Sequence, residues 1–159
     1  MNTPFIIAEA GKNFIYRDDM TVELALERAK YLALRAKESG ASAVKYQIHV
    51  FLDEQIKRSP ARYDWIKLNE ALTPYKEFWV PLKEYCDSIE IEFMTTPMSK
   101  LAAEKVKDLI QRWKVGSADI VDFKLLDYLA STKRPIIMST GMSTLEQIDM
   151  AFKRLCREE

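Results

Sequence analysis

Two lysines and two carboxylates stand at positions where they could bind a small anion and move protons. Lys45 and Lys114 each lie inside an otherwise apolar run, where a buried ammonium group is costly unless it meets an anion. Together they would make a site for a phosphate and a carboxylate group. The alternative is that each lysine forms an internal salt bridge to Glu9 or Asp119, since buried ion-pair networks contain the same residue types. Their positions in the sequence leave both interpretations open.

Hydroxyl groups follow several of the same runs. Ser139 and Thr140 open a Ser-Thr-Gly-Met-Ser turn before a helical segment, which offers hydroxyls and backbone N–H groups to an anion. Thr96 and Ser117 lie in similar turns, Thr-Thr-Pro and Gly-Ser. Taken singly, each turn is explained equally well by helix capping. Their coincidence with the two lysines favours an anion cradle.

The acidic residues and the single histidine have two interpretations each. Glu9 and Asp119 could orient a water molecule or transfer protons beside a bound anion, or they could simply neutralise the lysines. His49 is the only histidine, so this chain cannot supply a metal site made of several histidines. We expect His49 to be a packing or surface residue, and metal ligation is the minority interpretation.

Five β-branched or apolar runs must position these side chains. They cover residues 5–9, 43–47, 91–97, 112–117 and 135–141. Segments with helical periodicity separate them, so the chain alternates strand and helix, which predicts parallel strands with right-handed crossovers. The carboxyl ends of such strands meet at one edge of the sheet, where active sites of α/β proteins are found.

The helices are predicted from their periodicity and caps. Thr21 caps a helix that extends to Gly40, and Ser143 or Thr144 opens a capping box. The other predicted helices are 74–88, 100–111, 123–131 and 144–157. Residues 49–73 form a long polar excursion, which predicts a functional loop or short helices over the site, with its aromatic residues packing it against the sheet.

Composition limits the classes of function. Lys plus Arg and Asp plus Glu both number 24, so the charge favours neither a nucleic-acid nor an acidic-membrane partner. Cys86 and Cys156 are far apart and are predicted to be reduced thiols. No apolar run approaches the roughly 20 residues of a membrane span, and no signal-peptide pattern precedes the first strand. A cytoplasmic location is therefore expected.

The number of strands does not match a closed barrel. A (β/α)8 barrel takes about 250 residues, whereas this chain has 159 residues and five predicted strands. Residues 1–159 are therefore expected to form one domain that is an open five-stranded sheet, a truncated barrel or one part of an assembly. Unpaired strand edges predict self-association.

Five motifs together resemble the sialic acid synthases (N-acetylneuraminate synthase and its legionaminate and pseudaminate relatives). They are FIIAEAGKN at 5–13, ASAVKYQ at 41–47, EIEFMTTPM at 90–98, WKVGSAD at 113–119 and PIIMSTGMSTLE at 135–146. The resemblance implies a condensation of phosphoenolpyruvate with an N-acetylated sugar aldehyde such as N-acetylmannosamine, assisted by Mn²⁺ or Mg²⁺. By this resemblance the phosphoenolpyruvate-binding and other substrate-binding positions are Lys45, Gln47, Thr96, Lys114, Ser117, Ser139 and Thr140. The catalytic carboxylates are Glu9 and Asp119.

The resemblance also implies what this chain lacks. The family's metal-binding histidines occur in later motifs that are absent here, so no metal ligand is assigned to any residue of this chain. Ala118 replaces a glycine that is usual in the family, which is expected to crowd that turn. The resulting hypothesis is an α/β fold of about five βα units, a partial TIM barrel that carries the phosphoenolpyruvate half-site and is weakly active alone. The alternatives are a non-catalytic anion-binding or regulatory half-barrel, or one chain of a split synthase that pairs with a missing C-terminal half.

Overall fold

The computed structural model describes residues 4–56 and 58–156, which form a mixed α/β fold with parallel sheets. The strands in this part are β1 Ile7–Gly11, β2 Ala43–Ile48, β3 Glu92–Pro97, β4 Trp113–Val115 and β5 Ile136–Met138. The helices are α1 Val22–Glu38, α2 Phe51–Glu54, α3 Tyr63–Leu72, α4 Val80–Ser88, α5 Lys100–Val106, α6 Phe123–Ser131 and α7 Leu145–Leu155. A 3₁₀ turn, Pro60–Arg62, precedes α3, and a π-helical turn, Tyr75–Trp79, leads into α4.

The strands form two parallel ladders in chain order. β1, β2 and β3 make one sheet, β4 and β5 make another, and β3 contacts β4. In the first ladder Glu9 is level with Lys45, and Gln47 is level with Thr96. The predicted parallel arrangement is confirmed, and it brings the polar residues at the strand ends to one edge, as expected for parallel strands.

The element boundaries differ from the predictions in one informative place. The helix predicted to reach Gln111 ends at Val106. Because β4 begins at Trp113, a helix to Gln111 would leave one residue to reverse the chain. The polar excursion contains α2, the 3₁₀ turn and α3, so the prediction of short helices there is confirmed. The capping box is formed by Thr144 with Gln147.

The face of β2 that carries Tyr46 packs against helix α1. Tyr46 is fully buried, and its Oη donates a hydrogen bond of 2.8 Å to the carbonyl of Ala29 in α1. Ala25, Ala29 and Ala33 are fully buried as well, since small side chains let α1 lie close to the sheet.

Burial is the main cause that raises the pKa of the Cys86 thiol to about 12. Cys86 and Cys156 are both free, as predicted.

Apolar side chains remain exposed at both ends of the strand order. Phe5 and Ile6, beside β1, are about half exposed, and Leu145 and Phe152 of α7 are more exposed still. Within residues 4–56 and 58–156, no helix combines the length and apolarity that crossing a bilayer requires.

Candidate anion-binding site and adjoining cavity

Lys45 lies at the centre of the first sheet with its ammonium group between two partners. The residue is 3% exposed. Its Nζ lies 2.5 Å from Glu9 Oε2 and donates a hydrogen bond of 2.9 Å to Thr96 Oγ1. The salt-bridge interpretation therefore holds for Lys45 and Glu9. Because the Glu9 side chain is 63% exposed, this ion pair faces open space on one side.

Lys114 reaches the same region from β4 without a carboxylate partner in the described part of the chain. It is 8% exposed, and its Nζ donates hydrogen bonds to Ser139 Oγ at 2.5 Å and to the Val115 carbonyl at 2.7 Å. Burial, together with the positive charge of Lys45, lowers the pKa of Lys114, while Glu9 opposes this shift. The charge of Lys45 thus disfavours the charged form of Lys114, and an anion beside the two ammonium groups would offset that effect.

Asp119 is the second carboxylate of the site and is held by an arginine from the excursion. It is 2% exposed and lies in the turn after β4, closed by the Asp119 N–H donating to the Gly116 carbonyl at 3.0 Å. Its Oδ1 accepts a hydrogen bond of 2.8 Å from Arg58 Nη2. A Cβ added at Gly116 would lie 3.1 Å from Asp119 Oδ2 and 3.7 Å from Thr96 Cγ2, so a side chain at that position would crowd the Asp119 carboxylate.

Arg58 continues into a chain of buried polar groups. Its Nε lies 3.7 Å from Oε2 of Glu54, which is fully buried. Glu54 also accepts hydrogen bonds from His49 Nδ1 and the Val50 N–H, both at 3.0 Å. Sequence reasoning missed Glu54 and Arg58. The signal was their i, i+4 spacing, which the irregular composition of the excursion concealed.

The other predicted substrate-binding residues are placed less uniformly. Gln47 is partly buried at the end of β2, and its side chain makes no hydrogen bond to the described residues. Ser117 is partly buried in the turn after β4, and its hydroxyl likewise has no partner in that part of the chain. Thr140 is exposed, and its carbonyl accepts from the Ser143 N–H. The structure thus brings Lys45, Thr96 and Glu9 into direct contact but leaves Ser117 and Thr140 at the rim.

A cavity of about 370 Å³ lies beside this site. It is lined by Lys12, Gln47, His49, Glu54, Arg58, Ala61, Arg62, Trp65, Ile66 and Met98. His49 is 5% exposed and its ring packs edge-on against Trp65, with ring centres 4.8 Å apart. The Nζ of Lys12 lies 4.1 Å from the centre of the Trp65 ring. The prediction that Trp65 packs the excursion is therefore correct only in part, because the ring also forms a cavity wall.

The residues of this site do not fit a divalent metal. Residues 4–56 and 58–156 contain no group of three or more His, Cys, Asp or Glu side chains that could hold one. His49 is already engaged by Glu54, and Lys45 and Arg58 occupy the carboxylates of Glu9 and Asp119.

Comparison with known proteins identifies the family. The sequence profile of the NeuB family matches residues 32–159, which is most of the chain. This chain belongs to the NeuB family. Its curated relatives include the N,N'-diacetyllegionaminic acid synthase of Legionella pneumophila, 35% identical over 94% of this chain and 43% of the relative. The pseudaminic acid synthase of Helicobacter pylori is 30% identical over 99% of this chain and 47% of the relative.

Solved structures agree with this assignment. The N-acetylneuraminic acid synthetase of Leptospira borgpetersenii, crystallised with citrate, superposes with a TM-score of 0.81 at 26% identity, over 97% of this chain and 50% of that protein. A truncated 3-deoxy-D-arabino-heptulosonate 7-phosphate synthase from Thermotoga maritima shares the fold, with a TM-score of 0.64 at 17% identity, over 95% of this chain and 46% of that protein. The chain spans about half the length of the relatives that it matches.

The family match also puts the Ala118 departure in context. Ala118 is exposed in the turn after β4 and does not adopt a positive φ. A methyl group at this position therefore causes no backbone strain.

Proposed function

We propose that residues 1–159 form the N-terminal part of a TIM-barrel nonulosonate synthase and carry its phosphoenolpyruvate half-site. One observation carries the proposal: two nearly buried ammonium groups, Lys45 and Lys114, lie close enough for one to lower the pKa of the other. Glu9 offsets the charge of Lys45, whereas Lys114 has no carboxylate partner among residues 4–56 and 58–156. Phosphoenolpyruvate would supply both a phosphate and a carboxylate to the pair. Membership of the NeuB family supports this choice of anion.

Hydroxyl groups around the lysines suit the same ligand. Thr96 and Ser139 already accept hydrogen bonds from the ammonium groups, so each hydroxyl proton is directed away from its lysine and is available to an anion. Ser117, which is partly buried, and Thr140, which is exposed, are proposed to contact a bound phosphate through their hydroxyls. We assign these four residues, with the two lysines, to phosphoenolpyruvate binding.

The proposed reaction joins C3 of phosphoenolpyruvate to the aldehyde carbon of an N-acetylated sugar. Water then adds to C2, and the tetrahedral intermediate expels inorganic phosphate by C–O cleavage, so the products are a nonulosonate and phosphate. Glu9, partly exposed beside Lys45, is the proposed base that takes a proton from the attacking water. Asp119, fixed by Arg58, is the proposed partner of the acceptor. The divalent metal expected for the full enzyme would need ligands from outside the described residues.

The relatives differ in the product that they are named for, so they do not specify one acceptor sugar. Their names specify synthases of N,N'-diacetyllegionaminic acid, of pseudaminic acid and, in Homo sapiens, of N-acetylneuraminate 9-phosphate. We propose an N-acetylated amino sugar as the acceptor class and place Gln47 beside it.

Titration with phosphoenolpyruvate tests the half-site. We expect calorimetry on this chain to detect one site per molecule, and the Lys45→Gln substitution to weaken binding by at least about tenfold, because a charge-assisted hydrogen bond contributes about 1.5–3 kcal/mol. Lys153→Gln removes a charge from the exposed Lys153–Asp149 pair on α7 and should leave binding unchanged.

Equal weakening by both substitutions, or no binding at all, would contradict the proposal. Binding without turnover, even when an added C-terminal half provides the rest of the barrel, would favour the alternative of a non-catalytic anion-binding half-barrel.

The exposed apolar residues at the two ends of the strand order support a missing partner. We propose that the remainder of the barrel covers Phe5 and Ile6 at one end and Leu145 and Phe152 at the other. Without it, unpaired edges should drive self-association, and we expect light scattering at micromolar concentration to report more than a monomer and assays to show little turnover. A monodisperse monomer would contradict this part of the proposal.

A further inference from the structure

Lys114 is a buried lysine whose ammonium group has no carboxylate partner in the described part of the chain. It is 8% exposed. Its Nζ donates hydrogen bonds to Ser139 Oγ at 2.5 Å and to the Val115 carbonyl at 2.7 Å. An ammonium group has three N–H donors, so one of them has no acceptor among residues 4–56 and 58–156. If that proton is lost, both hydrogen bonds remain and a nitrogen lone pair takes its place.

The surroundings of Lys114 favour the loss of this proton. Burial is the main cause that lowers its pKa, and the positive charge of Lys45 is the second cause, while Glu9 opposes both. Lys45 is paired with Glu9, 2.5 Å from its Oε2, and so acts on Lys114 as a cation held in place. A lysine that is desolvated or lies next to another cation is the kind that attacks carbonyl carbons and forms Schiff bases. Lys114 meets both conditions.

The neighbouring polar groups indicate which carbonyl compound fits. Lys45 Nζ and the Thr96 hydroxyl are hydrogen-bonded at 2.9 Å, and a cation with a hydroxyl beside it suits a carboxylate. The Glu9 side chain is 63% exposed, so a small molecule can approach the ion pair from that side. A 2-oxo acid has a ketone bonded directly to a carboxylate. It is therefore the class of ligand whose carboxylate one lysine can bind while the other reaches its carbonyl carbon.

We propose that Lys114 forms an imine with a 2-oxo acid whose carboxylate is bound by Lys45. The unprotonated Nζ attacks the ketone carbon, C2, and a C–N bond forms. Protons then move from the nitrogen to the oxygen on C2, the C2–O bond breaks and water leaves, so one amine and one ketone give one imine and one water. Glu9, whose charge acts on Lys114, is the carboxylate that carries the proton.

This activity goes beyond the proposed function, because phosphoenolpyruvate has an enol phosphate and no ketone at C2. The two activities share only the anion site at Lys45 and Lys114.

Reductive trapping with pyruvate tests the inference. The whole chain is incubated near neutral pH with pyruvate and sodium cyanoborohydride, which reduces an imine to a stable secondary amine. Mass spectrometry of the digested protein then locates the adduct. We expect labelling of Lys114 to saturate with pyruvate and to exceed labelling of the exposed Lys67 and Lys153 by at least about tenfold, since a bound carbonyl reacts as a neighbouring group.

Matched ligands and variants show what the labelling requires. Acetone lacks the carboxylate and should label Lys114 no more than the exposed lysines, and lactate lacks the ketone and should give no adduct. Lys45→Gln should lower pyruvate labelling of Lys114 by at least about tenfold, because a charge-assisted hydrogen bond to the carboxylate is lost. Lys153→Gln removes an exposed charge and should leave the labelling of Lys114 unchanged.

The outcomes separate the inference from the proposed function. Equal labelling of Lys114 and Lys153, equal labelling of Lys114 by acetone and pyruvate, or undiminished labelling in Lys45→Gln would overturn the inference. The ligand comparisons use the unsubstituted chain, so they do not depend on the folding of a variant. Absence of an adduct on Lys114, together with phosphoenolpyruvate binding that depends on Lys45, would refute the imine and leave the proposed function intact. Pyruvate labelling of Lys114 that depends on Lys45, without any binding of phosphoenolpyruvate, would sustain the imine and refute the phosphoenolpyruvate half-site.

Discussion

Replacement of Lys114 by methionine is expected to abolish phosphoenolpyruvate binding and to raise the free energy of unfolding by about 1 kcal/mol. The charge of Lys114 is opposed in the folded chain by burial and by Lys45, so removing it relieves both penalties. The substitution leaves no buried acceptor unsatisfied, because the Val115 carbonyl also accepts a hydrogen bond of 3.1 Å from the Ser139 N–H. Function and stability should therefore move in opposite directions at this position.

The pH dependence gives this prediction a sign. The pKa of Lys114 in the folded chain is lowered from its ordinary value of 10.5. Between the folded-state pKa and 10.5, the unfolded chain therefore binds more protons than the folded chain. Across that pH range the free energy of unfolding of the unsubstituted chain rises with pH. Below the folded-state pKa the penalty is complete. The advantage of Lys114→Met should therefore be full below the folded-state pKa of Lys114 and shrink as the pH approaches 10.5.

Urea unfolding at pH 7 and at pH 10 measures both effects, and Lys153→Met on the exposed face of α7 is the control. A loss of stability for Lys114→Met at pH 7 would mean that the hydrogen bonds to Ser139 and Val115 outweigh the charge penalties. It would also remove the main support for an anion-binding site, which is that the charge of Lys114 is unfavourable in the folded chain.

Replacement of Arg58 by methionine is expected to lower the free energy of unfolding by about 3–5 kcal/mol, the largest single effect on stability that we predict. Glu54 is fully buried and Asp119 is 2% exposed, and both lose an ion pair with Arg58. Breaking a buried ion pair by removing one partner costs about this much, and Glu54 would keep only its hydrogen bonds from His49 and the Val50 N–H. Arg58→Met should also lower the affinity for any ligand whose binding requires Asp119 to be held in place.

A double-mutant cycle isolates the interaction. Asp119→Asn or Glu54→Gln, combined with Arg58→Met, should recover part of the lost stability, because each removes one of the stranded charges. Arg62→Met is the matched control, since Arg62 is exposed and unpaired within the described residues, and such surface changes stay within about 0.5 kcal/mol. Additive effects of Arg58→Met and Asp119→Asn would show that the 2.8 Å contact carries no coupling energy.

The sequence by itself determined the order of the elements and the place of the lysines. Apolar runs alternating with segments of helical periodicity are local signals, and the rule that parallel strands end at one edge places Lys45, Thr96 and Lys114 near one another without coordinates. The same signals located the cap at Thr21 and narrowed the other to Ser143 or Thr144, of which Thr144 is the N-cap. Five motifs in order were also sufficient to predict the family.

Only the tertiary structure decided which charges meet. Arg58 and Asp119 are 61 residues apart, and no periodicity connects them, because α2 and the 3₁₀ turn are too short to set a repeating pattern. Glu9 rather than Asp119 pairs with Lys45, since strand register sets which side chains are level. The cavity with His49, Arg62 and Trp65 likewise exists only where the excursion folds back over the strand ends. Contacts between remote residues depend on the path of the whole chain, whereas helices, strands and caps depend on neighbouring residues.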